Sequence, residues 1–163
     1  MRKSNLLMIL VILTLFSCST GRVVVLDNSK EEPIELIPFE VVGKGALFGA
    51  GEEGISESRG TIISYLEWID LKKKMNSVNN ISDNFSEGTL NFEEEMVLFC
   101  FDQVRGSGGY EVEIIDVFER KERLEVIIKY TRPSEMAPSV LTQPFCIVKL
   151  PRTDKDVVFK EKE

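Results

Sequence analysis

The stretch Tyr110-Glu111-Val112-Glu113-Ile114-Ile115-Asp116-Val117-Phe118-Glu119-Arg120-Lys121-Glu122-Arg123-Leu124-Glu125-Val126-Ile127-Ile128-Lys129-Tyr130 decides the fold class. Val112 and Ile114 alternate with Glu111 and Glu113, the period-two pattern of a strand with one buried face. At Ile114-Ile115 the parity shifts to Ile115 and Val117, which predicts a β-bulge. Glu119 to Glu122 is a charged turn, after which Leu124, Val126, Ile128 and Tyr130 resume the alternation. The segment is therefore a long antiparallel hairpin, with Tyr110, Val112, Leu124, Val126, Ile128 and Tyr130 expected to face the core.

On the N-terminal side of this hairpin, Met96 to Phe101 is an uninterrupted apolar run, the mark of a strand buried on both faces. On the C-terminal side, Pro133 to Pro138 is a bend and Phe145 to Leu150 is expected to be the last strand, with a frayed charged tail over 152–163. Earlier in the chain, Phe39 to Val42 reads as a strand. Gly43, Gly45, Gly49, Gly51 and Gly54 follow it. They match neither a dinucleotide fingerprint nor a phosphate loop, and are expected to form a flexible or bulged hairpin. Thr61 to Ile63 ends another strand. Ser64-Tyr65-Leu66-Glu67 is a capping-box pattern that opens an amphipathic helix near 64–75. Tyr65, Trp68, Ile69, Leu71 and Met75 share its apolar side, and Lys72, Lys73 and Lys74 suit the negative end of its dipole. Asn76 to Asn91 is a polar loop, in which Phe85 occupies a position that a calcium loop needs for a ligand. The fold class is α+β, mainly antiparallel β-sheet, in a single β-rich domain over 37–151.

Arg2 and Lys3 stand near the start of the sequence, ahead of an apolar run from Leu6 to Phe16 that is broken only by Thr14. The run is shorter than the roughly 20 apolar residues a spanning helix needs, so residues 1–17 read as an export signal. It ends in Leu15-Phe16-Ser17-Cys18, which resembles the lipobox of bacterial lipoproteins. That resemblance implies acylation of Cys18, a tether over 18–36 and a place in the bacterial cell envelope, anchored to a membrane by lipid. Loss of Arg2 and Lys3 with the signal takes the formal charge from −7 to −9. So acidic a body is a poor nucleic-acid binder.

Function by catalysis has little to work with. The chain has no His, which removes Ser-His-Asp and Cys-His mechanisms and every His-based metal site. No Ser-x-x-Lys occurs, Glu93-Glu94-Glu95 is a charge run beside a strand, and Asp102 is an isolated carboxylate. No enzyme activity, metal or cofactor is expected. Cys100 and Cys146 either pair as a disulfide, which an exported compartment permits, or serve as small buried apolar side chains.

The turn Arg105-Gly106-Ser107-Gly108-Gly109-Tyr110 leads into the alternating strand, and Leu141-Thr142-Gln143-Pro144-Phe145-Cys146-Ile147-Val148-Lys149-Leu150-Pro151 closes the unit after a Pro-containing bend. In order and spacing, residues 92–151 resemble the C-terminal domain of the protease-complex subunit PrcB. Gly106 and Ser107 stand where that family tends to have Pro-Thr, Phe145 where it has Tyr, and Cys146 where it has His. The resemblance implies a non-catalytic accessory subunit that binds and stabilises an exported protease. It makes Arg105, Gly106, Ser107, Gly108, Gly109 and Tyr110 the candidate partner-binding residues. The same Gly-Gly-Tyr turn resembles that of chagasin-type cysteine-protease inhibitors, which makes an inhibitor the rival reading. A structural envelope lipoprotein is the third. A plain geometric turn, with Gly108-Gly109 there only to bend the chain, accounts for the motif equally well.

Overall fold

The computed structural model describes residues 24–25, 34–86, 88–133 and 136–162. Among these residues two sheets and one α-helix form three layers. The first sheet contains, in spatial order, β1 (Val24–Val25), β2 (Ile34–Leu36), β6 (Glu111–Glu119), β7 (Arg123–Thr131) and β9 (Asp156–Glu161). The second contains β3 (Glu40–Leu47), β8 (Gln143–Pro151), β5 (Glu95–Phe101) and β4 (Ser58–Ile62). Every pairing is antiparallel except β7 with β9. The class is thus α+β with a dominant antiparallel sheet, as the alternation predicts.

The pleat explains how one apolar strand serves two cores. Met96, Leu98 and Cys100 of β5 and Cys146, Val148 and Leu150 of β8 point towards the first sheet, where they meet Val112, Ile114, Val117, Leu124, Val126 and Ile128. The alternate residues Val97, Phe101, Phe145 and Ile147 point the other way, onto Trp68 and Met75 of the helix α1 (Tyr65–Met75). The β6–β7 hairpin carries its bulge between Ile114 and Asp116, at the predicted parity shift.

The helix starts where the capping box places it. Ser64 accepts from the Glu67 amide, and its hydroxyl donates to Glu67 Oε2 at 2.8 Å. The Glu67 carboxylate reaches back to the Ile63 amide rather than to that of Ser64. Tyr65 is exposed, contrary to the expected stripe; Trp68 and Met75 carry the contact with the sheet. Trp68 stacks on Phe85 at 6.1 Å, and Phe85 lies 6.0 Å from Phe145. Phe85 follows a 3-10 turn at Ile81–Asn84. It packs over Gly43, where a Cβ would fall 2.3 Å from the ring.

Three expectations need correction. β3 and β4 do not form a hairpin: β8 and β5 lie between them; Gly43 and Gly45 belong to β3 itself, whose register shifts between Val41 and Gly43, and Gly49, Gly51 and Gly54 lie in the loop that crosses from β3 to β4. The tether expected over 18–36 contains β2, and just beyond it the Ile37 amide donates to the Val117 carbonyl at 2.8 Å. The tail expected to fray after Pro151 contains β9. Val157 and Phe159 pack there against the core between the sheets, and Lys160 reaches the buried Glu125 at 3.0 Å.

Candidate functional site

At one end of the sandwich three loops converge: residues 48–57 after β3, 102–110 after β5, and the described residues 132–133 and 136–142 before β8. Asp102 anchors the middle loop. It is 2% exposed, and its amide donates to the Pro144 carbonyl at 2.9 Å. Arg105 grips its carboxylate with two bonds, Nε to Oδ2 at 2.7 Å and Nη2 to Oδ1 at 2.8 Å. This bidentate geometry suits a planar guanidinium. The hydrogen bond to Asp102 raises the Arg105 pKa further above its already high range. The guanidinium also lies over the Tyr110 ring, 4.8 Å from its centroid.

The turn itself is clamped from below. The Arg105 and Thr142 backbones exchange hydrogen bonds at 2.7 and 3.1 Å, and Thr142 Oγ1 donates to the Ser107 carbonyl at 3.1 Å. The Gly108 amide donates to the Pro138 carbonyl at 2.9 Å. Gly108 is buried, and an added Cβ would stand 3.1 Å from Pro138 Cγ. Gly109 adopts φ +80°, and a Cβ there would press on Pro133 at 2.8 Å. The turn therefore requires a glycine at 109, whereas a side chain at 108 would need Pro138 to give by a few tenths of an ångström. Gln143 ties in the third loop: its Nε2 donates to the carbonyls of Ile55 and Asp102, each at 2.9 Å.

Of the six candidate partner-binding residues, only Gly106 and Gly109 are exposed. Ser107 and Tyr110 are half-buried, Gly108 is buried, and the Arg105 side chain, 27% exposed, is engaged with Asp102. Beside the turn is a polar cleft of about 300 Å³, walled by Glu57, Asp102, Arg105, Tyr110, Tyr130 and Arg132, among others. Around it the loops present exposed apolar side chains: Phe48, Val104, Met136, Val140 and Leu141. Sequence reading missed Tyr130 and Arg132 as members of this end; their position just before the Pro133 bend was the available signal. Two other hollows carry less. One of about 370 Å³ at the opposite end holds Lys149, which is already paired with Glu40 and Glu95. The larger, about 480 Å³, follows the open edge between β4 and β9.

Cys100 and Cys146 are free and buried. Burial pushes the Cys100 thiol up to about 11 and raises that of Cys146 as well, so neither is a poised nucleophile. Burial, with Cys100 close by, also raises the Tyr130 phenol. Asp102 is committed to Arg105. Among the described residues no group of three or more Cys, Asp or Glu side chains is arranged to hold a metal ion. Among them too, no helix is long and apolar enough to cross a membrane. Cys18 and the apolar run Leu6 to Phe16 lie outside the described residues.

Fold and site together define a β-sandwich module whose loop end has a self-paired polar cleft and an apolar rim. The family model described as PrcB C-terminal matches residues 96–151, the segment that spans the strands β5 to β8 and two of the three loops. No curated protein matches the chain, and no solved structure does.

Proposed function

We infer that this chain is a non-catalytic accessory lipoprotein, held at a membrane of the bacterial cell envelope through Cys18, that binds and stabilises an exported protease. The match of residues 96–151 to the PrcB C-terminal family carries the reading. The loop end supports it. Arg105 and Asp102 satisfy each other and hold the turn rigid, while Phe48, 55% exposed, and Leu141, 50% exposed, offer apolar surface beside it. A rigid, partly apolar patch with a polar cleft is suited to a protein partner. The lipobox-like Leu15 to Cys18 supports the anchor.

Two measurements test this. Fatty-acid labelling and membrane fractionation of Cys18→Ala should both show loss of the anchor; labelling that survives the change removes the lipoprotein reading. Crosslinking in membranes followed by capture should recover a protease. Gly106→Glu and Leu141→Asp should abolish that capture, because both positions are exposed and nothing lies within 4 Å of a Cβ at Gly106. Folded variants with full capture would place the binding face elsewhere. A captured protease that keeps its activity separates a stabiliser from a chagasin-type inhibitor.

A further inference from the structure

Cys100 and Cys146 occupy directly opposed positions in the β5–β8 register. Both side chains lie in the core between the sheets, so they project from the same face of the second sheet. Directly opposed residues of an antiparallel pair keep their Cα atoms about 4.5–5.5 Å apart. A disulfide bridges Cα atoms about 4.4–6.8 Å apart. The register therefore brings the two Cα atoms into bridging range, and the bridge needs only that the Cβ atoms, about 4.5–5.5 Å apart in such a pair, close to about 3.5–4.5 Å. In the dithiol state each sulfur has a neighbour of its own: Cys100 Sγ lies 3.7 Å from Tyr130 Oη, and Cys146 Sγ accepts from the Ile114 amide at 3.4 Å.

The geometry points to Cys100 and Cys146 as a sequestered redox pair that closes to a cross-strand disulfide when the chain folds in the presence of an external disulfide. The chemistry is thiol–disulfide exchange. One cysteine thiolate attacks a sulfur of the external disulfide and expels a thiolate, which takes up a proton. The second cysteine thiolate then attacks the mixed disulfide and expels the other thiolate. Two S–H bonds are lost and one S–S bond forms. The protein gives up two electrons and two protons, and the external disulfide is reduced to two thiols. The pairing follows from register and burial and needs neither the lipid anchor nor a protease.

The state of the pair is fixed during folding. In the folded dithiol both sulfurs are walled in by the two sheets. The Cys100 thiol, pushed up to about 11, carries roughly a hundredfold less thiolate at neutral pH than an ordinary cysteine. Closure and opening therefore require the strands to part. The bridge also has a consequence at the candidate site. It draws Cys100 Sγ towards β8 and away from Tyr130 Oη, the phenol on the wall of the polar cleft.

The test uses the full chain, unfolded in urea and refolded in buffers that run from reduced to oxidised glutathione. Samples are quenched in acid, alkylated and peptide-mapped by mass spectrometry. A linked Cys100–Cys146 peptide should be the dominant form in oxidising buffer. Folded dithiol protein placed in the same buffer without urea should close at least roughly a hundredfold more slowly. Free or glutathionylated Cys100 and Cys146 after oxidative refolding would overturn the pairing. Equal closure rates with and without urea would overturn the sequestration. The Cys18→Ser chain, which lacks the third thiol, must give the same linked peptide; its absence there overturns the proposal too.

Discussion

Replacing Arg105 by alanine strips the Asp102 carboxylate, 2% exposed, of its two charge-assisted bonds of 2.7 and 2.8 Å. One bond remains, from the Gln103 amide at 2.8 Å. Hydrogen bonds to charged groups contribute about 1.5–3 kcal/mol each, and a buried carboxylate left short of partners pays its full desolvation. Arg105 borders an open cleft, so water recovers part of the loss. A net cost of about 2–3 kcal/mol follows, which includes a small cation–π contribution on Tyr110. Asp102→Ala should cost about 1–2 kcal/mol, because the guanidinium it releases can turn to solvent. The double variant loses the same interaction once, so the singles should overshoot it by about 1–2 kcal/mol. Urea unfolding followed by circular dichroism measures all four corners of the cycle. With a urea slope of about 1–3 kcal/mol per molar, Arg105→Ala should lower the midpoint by about 0.7–3 M. Single effects that add to the double within about 0.5 kcal/mol would refute the coupling and, with it, the rigid turn.

Three further outcomes are expected. Burial opposes ionisation of Glu125, but Arg120, Lys160 and Arg123 outweigh it and hold the folded carboxyl at about 2, below the roughly 4.3 of an unfolded chain. Its contribution is thus complete above about pH 5 and is lost as pH falls towards 2. Screening of the half-exposed Arg123 and Lys160 limits it to about 1–2 kcal/mol, and urea midpoints against pH should lose that component in Glu125→Gln. Gly109→Ala should cost about 1–3 kcal/mol because of its φ of +80° and the Pro133 contact, whereas Gly106→Ala should stay within about 0.5 kcal/mol; calorimetry on the pair checks the difference. Truncation after Pro151 removes β9 with Val157 and Phe159, and the melting temperature should fall by about 10 °C.

What the sequence discloses here follows the range of the interactions. The β6–β7 hairpin, its bulge at Ile114, the doubly buried β5 and the Ser64 cap are all written in residues a few positions apart, where period and capping chemistry act directly. β9 is hidden because Val157, Val158 and Phe159 sit among Asp156, Lys160 and Glu161, and only the distant edge of β7 gives them something to cover. The glycine-rich stretch looks like a hairpin because nothing near it shows that the partner of β3 is β8. At the site, Asp102 reads as a lone carboxylate until the loop folds and brings Arg105, three residues on, back onto it. Tyr110 reads as the first core-facing residue of the hairpin, whereas in the structure it is half-buried on the cleft wall beneath that same guanidinium.

The limits of the matched segment have a physical meaning. Residues 96–151 supply β5 and β8 to one sheet and β6 and β7 to the other, so they contain nearly the whole core between the sheets. The same β5 and β8 turn Val97, Phe101, Phe145 and Ile147 outward, onto the opposite face. Among the described residues, none of 96–151 outside β5 and β8 packs on that face. Trp68 and Met75 of α1, with Val42, Leu47 and Ile62 of the flanking strands, do so. Burying large side chains such as Phe101 and Phe145 is worth about 1.5–3 kcal/mol each, a sizeable share of the stability of a small domain. The segment from Glu40 to Met75 is therefore an obligate cover for the matched unit. It also supplies the 48–57 loop, which Gln143 ties to the Arg105 turn through Ile55, so the loop end exists only when both halves of the chain are folded together.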